Sequence, residues 1–187
     1  MSAIRIRSLS SIGERELRGL CEVLVDCVEG GASVSFMWPM TQAKAQAFWS
    51  GTAQALERGE RLVFVAEDAS GEIVGTTQIV LGLPENQPHR ADLAKMLVHR
   101  KARRHGVGEA LLIAAEQGAR AAGKSLLVLD TASDAAERLY VRQGWQRCGR
   151  IPDYALLPDG AYCDTVVYYK PLAATARARD AQAGAPA

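Results

Sequence analysis

The chain has 187 residues, 48% of them hydrophobic and 23% charged, with a formal net charge of +1. That length fits one globular domain with a real core, and the composition is ordinary for a soluble protein. The near-zero charge gives no reason to expect nucleic acid or an anionic membrane as a partner. No segment is apolar for long enough to act as a signal peptide or to span a bilayer. The four cysteines, Cys21, Cys27, Cys148 and Cys163, lack the spacing of zinc ligands or of a redox Cys-x-x-Cys pair. They read as reduced thiols of a cytoplasmic protein, most of them buried.

Ile4 and Ile6 alternate with polar residues, as in a short half-buried strand. Leu17, Leu20, Cys21, Leu24, Val25 and Val28 recur at helical spacing, and Gly30-Gly31-Ala32-Ser33 ends that helix. Val34 to Met40 reads as an apolar loop, and Thr41 as the N-cap of a second helix. One face of that helix carries Ala45, Phe48, Thr52, Ala55 and Leu56, and Gly59 closes it. Leu62–Glu67 and Ile73–Leu81 form two arms of a hairpin around the turn Asp68-Ala69-Ser70-Gly71. A loop with Pro84 and Pro88 precedes a strand over Ala91–Val98.

Next comes Arg103-Arg104-His105-Gly106-Val107-Gly108, followed at once by a helical run from Glu109 to about Ala122. Leu111, Ala114, Ala115, Gly118, Ala119 and Ala122 share one face of it, and their small size lets the helix lie close on a sheet. Ser125–Asp130 reads as a buried strand and Asp134–Gln143 as a short helix, with Asp134 and Glu137 spaced like a capping box. Its inner face holds Ala135, Ala136, Leu139 and Tyr140. Trp145–Ile151 is a strand, Pro152–Gly160 a turn-rich loop, and Tyr162–Lys170 a last strand. The domain is expected over residues 1–172, with 173–187 as an Ala-rich flexible tail. Antiparallel hairpins followed by a parallel crossover predict an α/β mixed sheet, mostly antiparallel, of about seven strands flanked by about four helices.

A strand, a basic glycine loop and a helix start, in that order, suit a phosphate-bearing ligand. Amides at a helix N-terminus have no partner within the helix and carry partial positive charge. Glycines let the backbone approach the ligand, and arginines supply forked donors. Gly106-Val107-Gly108 also begins a dinucleotide-binding Gly-x-Gly-x-x-Gly, but position 111 is Leu111 and the loop lies mid-chain after antiparallel elements. His89, His99 and His105 have no ligand spacing, so no metal is expected. Cys148 and Cys163 have no base beside them in sequence, which argues against a covalent acyl-enzyme.

Two motifs together resemble the GNAT superfamily of acetyl-CoA-dependent N-acyltransferases. Arg103, Gly106 and Gly108 occupy the places of the family's cofactor loop. Ser133, Ala136, Leu139, Tyr140, Gly144 and Trp145 match its later Asn-x-x-Ala-x-x-Leu-Tyr and Gly-aromatic signature, with Ser133 in place of the asparagine. The resemblance spans roughly residues 4 to 170 and implies the following roles. Backbone amides from Arg103 through Arg104, His105, Gly106, Val107 and Gly108 to Glu109 would take the pyrophosphate of acetyl-CoA. Met96, Leu97 and Val98 would pair with the pantetheine arm, and an amide at Leu97 or Val98 would face the thioester oxygen. Ser133 would make a weakened contact to that arm. Tyr140, a phenol of reference pKa about 10, would protonate the leaving thiolate.

The base is Asp130 or Asp92. Asp130 ends a parallel strand, where ligands of such sheets gather. Asp92 opens the central strand, where some members of the family carry a glutamate, and could instead bind the substrate ammonium. A narrower likeness to the tabtoxin-resistance acetyltransferases lies in Gly30–Met37, Leu129-Asp130-Thr131 and Pro152–Gly160. It favours Asp130 and implies a small amino-acid-like acceptor, with Phe36, Asp153 and Tyr154 as candidate substrate contacts. The resemblance thus implies an N-acetyltransferase of a small amine, a toxin or antibiotic in the narrower reading, acting as monomer or homodimer by direct attack in a ternary complex. The substitution at Ser133 leaves open a catalytically silent acyl-CoA-binding module that works through protein partners.

Overall fold

The computed structural model describes residues 4–172, so the expected tail lies outside the described residues. In chain order the elements are β1 (Arg5–Leu9), α1 (Glu14–Glu29), α2 (Gln42–Glu57), β2 (Arg61–Glu67), β3 (Ile73–Val80) and β4 (Arg90–Val98), then a 3-10 turn at Arg100–Ala102. They continue with α3 (Val107–Ala121), β5 (Leu126–Thr131), α4 (Asp134–Arg142), β6 (Gln146–Leu156) and β7 (Tyr162–Pro171). The seven strands form one sheet in the order β1-β2-β3-β4-β5-β7-β6. Only β4 and β5 pair in parallel, because α3 carries the chain back across the sheet between them. This is the mixed architecture that the order of elements predicts.

Apolar side chains fill both faces of the sheet. On one, α3 covers Phe64, Val74, Leu93 and Leu127. On the other, α1 and α2 cover Val63, Val65, Ile73 and Leu97. The small residues of α3 do what their size predicts: a Cβ on Gly118 would come within 2.5 Å of Phe64 Cζ. The α2 face is rotated from the expected one. Trp49, fully buried, is its anchor, and Phe48 is only partly buried. Periodicity alone does not separate adjacent aromatics, whereas burial of the larger ring contributes about 1.5–3 kcal/mol. Thr41 caps α2 as expected, its hydroxyl accepting from the Lys44 amide at 3.2 Å.

Three local readings are corrected. Ser133, not Asp134, caps α4, accepting from the Ala136 amide at 3.4 Å. Glu137 turns away from any capping box, and its carboxylate accepts from the Tyr168 hydroxyl at 2.6 Å. β6 runs through Pro152 to Leu156 rather than stopping at Ile151. A proline is tolerated there because β6 is an edge strand, and pairing jumps from Ile151 opposite Thr165 to Ala155 opposite Cys163. Of the four cysteines, two are buried, Cys21 and Cys27; Cys163 is half-buried and Cys148 exposed.

One irregularity organises the site. On β3 and β4, Thr76 lies opposite Leu97, but Gln78 lies opposite Ala94, so Lys95 and Met96 together face a single residue. This is a β-bulge, with Lys95 in the left-handed region at φ 52°. It reverses the sidedness of the strand. Leu93 packs under α3, and Leu97 packs under α1 and α2. Past the bulge β4 has no pairing with β5: the two are in register only from Arg90 to Asp92, opposite Leu126 to Val128.

Candidate active site

Where β4 and β5 part, the sheet opens into a cleft of about 1000 Å³. One mouth is framed by the loop before α3 and by α4, the other by the end of α1 and the loop that follows it. Most of the residues singled out in the sequence meet here. Met96, Leu97 and Val98 form one wall, Asp130 and Ser133 the other, and Tyr140 joins them from α4. Arg103, Arg104, Gly106, Val107, Gly108 and Glu109 close the first mouth. His105 is exposed and does not line the cleft.

The loop before α3 is shaped by two left-handed residues, Arg104 at φ 67° and Gly106 at φ 78°. Such alternation turns successive amides toward one point and makes an anion-binding nest. The Ala110 amide bonds Gly106 O at 3.0 Å, so the amides of Val107, Gly108 and Glu109 precede the helical ladder and are free for a ligand. The Glu109 carboxylate does not compete for them, because Gln143 Nε2 donates to it at 2.5 Å. The Arg103 side chain is committed elsewhere: its Nε donates to Val98 O at 3.0 Å. It braces the loop against the end of β4, which leaves Arg104, Arg138 and Arg142 as the cations around this mouth. Arg138 and Arg142 were not singled out from the sequence; their four-residue spacing on α4, which puts them on one helix flank, was the available signal.

The strand amides divide by parity. The His99 amide bonds Val74 O on β3 at 2.9 Å. Successive amides of a strand point to opposite edges, so the Val98 amide points to the open edge, into the cleft. The Val98 carbonyl shares that edge and takes the bonds from Arg103 and from Cys27 Sγ.

Tyr140 is 3% exposed, packed beside Trp145 and Tyr168 with ring centroids 5.7 and 6.1 Å away. Its hydroxyl has no hydrogen-bond partner among the described residues. Burial first, and the negative charge of Asp130 second, raise its pKa far above that of a free phenol. It therefore stays protonated, as a donor must. Asp130 is exposed to the cleft and is steadied by Thr165, whose hydroxyl donates to Oδ2 at 2.8 Å. Thr165 had no signal in the sequence, because it reaches Asp130 only through the register of β7 on β5.

The other predicted residues lie apart from the cleft lining. Asp92 is ion-paired with Arg90 at 2.9 Å. Phe36 packs edge-on against Phe48 at 5.3 Å. The Asp153 amide donates to Asp164 Oδ1 at 2.9 Å, and Tyr154 is 56% exposed on β6. Neither Cys148 nor Cys163 lines the cleft; the cysteine that does is Cys27, whose thiol pKa is raised by burial, against thiolate chemistry.

Below Tyr140 a buried ion pair ties the helices together. Glu116 accepts from Lys170 Nζ at 2.7 Å and from Trp145 Nε1 at 3.0 Å. Lys170 also donates to Gln143 O, at the C-terminal end of α4, at 2.6 Å. The Trp145 amide bonds Tyr140 O at 3.0 Å. With Glu137 in its first turn bonded by the Tyr168 hydroxyl, the helix that carries Tyr140 is anchored at both ends.

Known proteins share this chain's family pattern and its fold. The model of the acetyltransferase (GNAT) family matches residues 19–145. An N-acetyltransferase of Azospirillum brasilense, in the hisH-hisA intergenic region, is 30% identical over 153 residues, which is 81% of this chain and 85% of that one. The ribosomal-protein-alanine N-acetyltransferase of Brucella melitensis is 26% identical with a TM-score of 0.74, over 90% of this chain and 99% of its own. A GNAT phosphinothricin acetyltransferase of Sinorhizobium meliloti, solved in complex with acetyl-CoA, shares the fold at 18% identity and a TM-score of 0.74, over 91% of this chain and 88% of its own.

Proposed function

Because the chain belongs to the acetyltransferase (GNAT) family, we propose that it moves the acetyl group of acetyl-CoA to the amine of a small molecule by direct attack in a ternary complex. The observation that carries this reading is the single cleft joining an anion nest at Arg104–Glu109 to a buried phenol at Tyr140 and a carboxylate at Asp130. The nest, with its spare amides and surrounding arginines, fits a pyrophosphate. The open edge of β4 at Val98 fits an extended pantetheine arm.

Acetyl-CoA supplies an acetyl group activated as a thioester. The residues of the chain do the rest. Asp130, with Oδ2 held by Thr165, accepts a proton from the acceptor amine. The Val98 amide faces the cleft where charge gathers on the reacting oxygen. Tyr140 gives its phenol proton to the departing sulfur. The ion pair of Asp92 with Arg90 and its place outside the cleft favour Asp130 as the base. The narrower reading, a small amino-acid-like toxin or antibiotic as acceptor, rests on the local likenesses in Gly30–Met37, Leu129–Thr131 and Pro152–Gly160.

Thermal unfolding with and without acetyl-CoA, with NADH as control, tests the donor. Ligand at about a hundred times its Kd adds roughly 2.7 kcal/mol, which shifts the midpoint by roughly 5–10 °C. Thiol release with a panel of small amines then tests transfer. A shift with acetyl-CoA alone and amine-dependent release are expected; no shift, or release without amine dependence, overturns the reading.

A further inference from the structure

At the mouth opposite the nest stands a cation that the proposed chemistry does not use. Lys95 lines the cleft from the bulge of β4, and Asp130 of β5 lines the same cleft, near enough to act on its charge. Its ammonium donates to Val34 O at 3.0 Å and to Ser35 Oγ at 3.1 Å. The rings of Phe36 and Phe48 lie 5.8 and 5.6 Å away. An ammonium has three donors, and the third has no acceptor among the described residues. Nor does Lys95 form an ion pair among them.

A half-buried cation without a counter-ion is costly. Desolvation and the nearby Arg61 guanidinium lower the Lys95 pKa, and only Asp130 opposes them. Arg61 faces the same side of the sheet and is likewise bound to a neutral partner, Gln78 Oε1, at 2.7 Å. The backbone is bent to hold this arrangement. Ser35 and Lys95, which bond each other, both sit in the left-handed region, at φ 77° and 52°. Neither is a glycine, and strain of this kind collects at functional sites.

The cleft therefore carries an amine of its own, Lys95, on one wall and a carboxylate, Asp130, on the other, a pairing that suits a zwitterion. Resting on the acetyltransferase reading above, we propose that Lys95 receives the carboxylate of an acceptor that is itself an α-amino acid, or an amine bearing a carboxylate at similar distance, while the amine lies toward Asp130 and Tyr140. Phe36, expected to contact substrate, acts in this arrangement through Lys95, whose ammonium it backs.

The test compares each common L-amino acid with its α-amide as acceptor, on the full chain at saturating acetyl-CoA, with coenzyme A release as readout. The amide keeps the amine and side chain but removes the negative charge. Its amine is also more readily deprotonated, so intrinsic reactivity favours the amide. The wild-type protein is expected to prefer the free acid of its best substrate by about tenfold or more in kcat/KM, mainly through KM. Lys95→Met removes that preference and Lys95→Arg keeps part of it.

Equal kcat/KM for acid and amide in the wild-type protein overturns the proposal without any variant. So does a Lys95→Met protein in which both fall by the same factor, the mark of a residue that only ties the Val34–Phe36 loop to β4. If uncharged amines are acetylated and no amino acid is, the acceptor class is wrong and the acetyltransferase reading stands. If no amine gives coenzyme A release and acetyl-CoA gives no thermal shift, the acetyltransferase reading fails, and this inference with it.

Discussion

The two mouths of the cleft are built by different means. The nest at Arg104–Glu109 is made of backbone, with two left-handed residues and the amides of one helix start. The opposite mouth is made of side chains: Lys95 from a bulge, Asp130 from the next strand, and Thr165 from a third that is distant in sequence. A backbone device tolerates many side chains and holds what all substrates of its class share. A side-chain device is specific, and each of its members can be removed alone. The contrast predicts that changes at the first mouth alter coenzyme affinity and that changes at the second alter turnover or acceptor choice.

The largest effect is expected where that separation is sharpest. Tyr140→Phe keeps the buried ring and its packing but removes the proton donor. It should lower kcat by about 10²–10⁴-fold, the usual range for a general acid, and leave the acetyl-CoA-induced thermal shift unchanged. A Tyr140→Phe protein with near-normal kcat would break the assignment of the proton donor to Tyr140. Next is Lys170→Met, which takes from Glu116, a carboxylate 8% exposed, the nearer of its two cations and leaves Arg120 at 3.5 Å. Breaking a buried pair costs about 3–5 kcal/mol, an upper bound here because Arg120 stays beside Glu116, to be read as a fall in chemical-denaturation stability. The loss should appear in global stability, with kcat of the folded fraction falling as α4 loosens around Tyr140.

The same contrast explains what the sequence made legible. The nest is local: strand, arginines, glycines and helix follow one another within some twenty residues, so its geometry could be read from their spacing. Tyr140 was legible for a similar reason, through a signature contained within α4 and the residues next to it. Lys95 was not. Nothing in Ala91–Val98 marks a bulge, because the register shift depends on how Thr76, Thr77 and Gln78 pair across from it. Thr165 and Glu116 were silent too, since each gains its role from a partner 35 or 54 positions away. The run through Pro152 misled for a third reason. A proline reads as a breaker, and only the edge position of β6 makes it harmless.

Two glycines of the α3 region sharpen the comparison further at a smaller scale. A Cβ on Gly106 meets nothing within 4 Å, so Gly106→Ala is penalised by its φ of 78° alone, about 1–2 kcal/mol. Because that strain sits in the nest, KM for acetyl-CoA should rise several-fold while kcat holds. Gly118→Ala instead drives a methyl into Phe64, and overpacking of this kind costs about 1–3 kcal/mol. It should lower the midpoint of thermal unfolding and leave KM for acetyl-CoA alone. If both substitutions changed KM alike, the nest would not be the coenzyme's anchor.

The smallest effect concerns pH, and it too divides the molecule. Burial raises the Cys21 thiol under α1 from 9.0 to about 11, and Tyr140 is raised further still. A group whose folded pKa lies above its unfolded one holds its proton more firmly in the native state. Its contribution to stability is complete below the unfolded pKa and is lost as pH rises toward the folded one. Stability should therefore decline between about pH 9 and 11, and the slope of midpoint against pH over that interval should be shallower in Cys21→Ala. Turnover should not follow the same curve. Tyr140 keeps its proton throughout this window, so kcat of the folded protein should show no alkaline limb at the pH where free phenols titrate. An alkaline limb near pH 10 that disappears in Tyr140→Phe would mean that the phenol ionises as a solvated group does, and that the acid of this site is not the buried proton donor its surroundings make it.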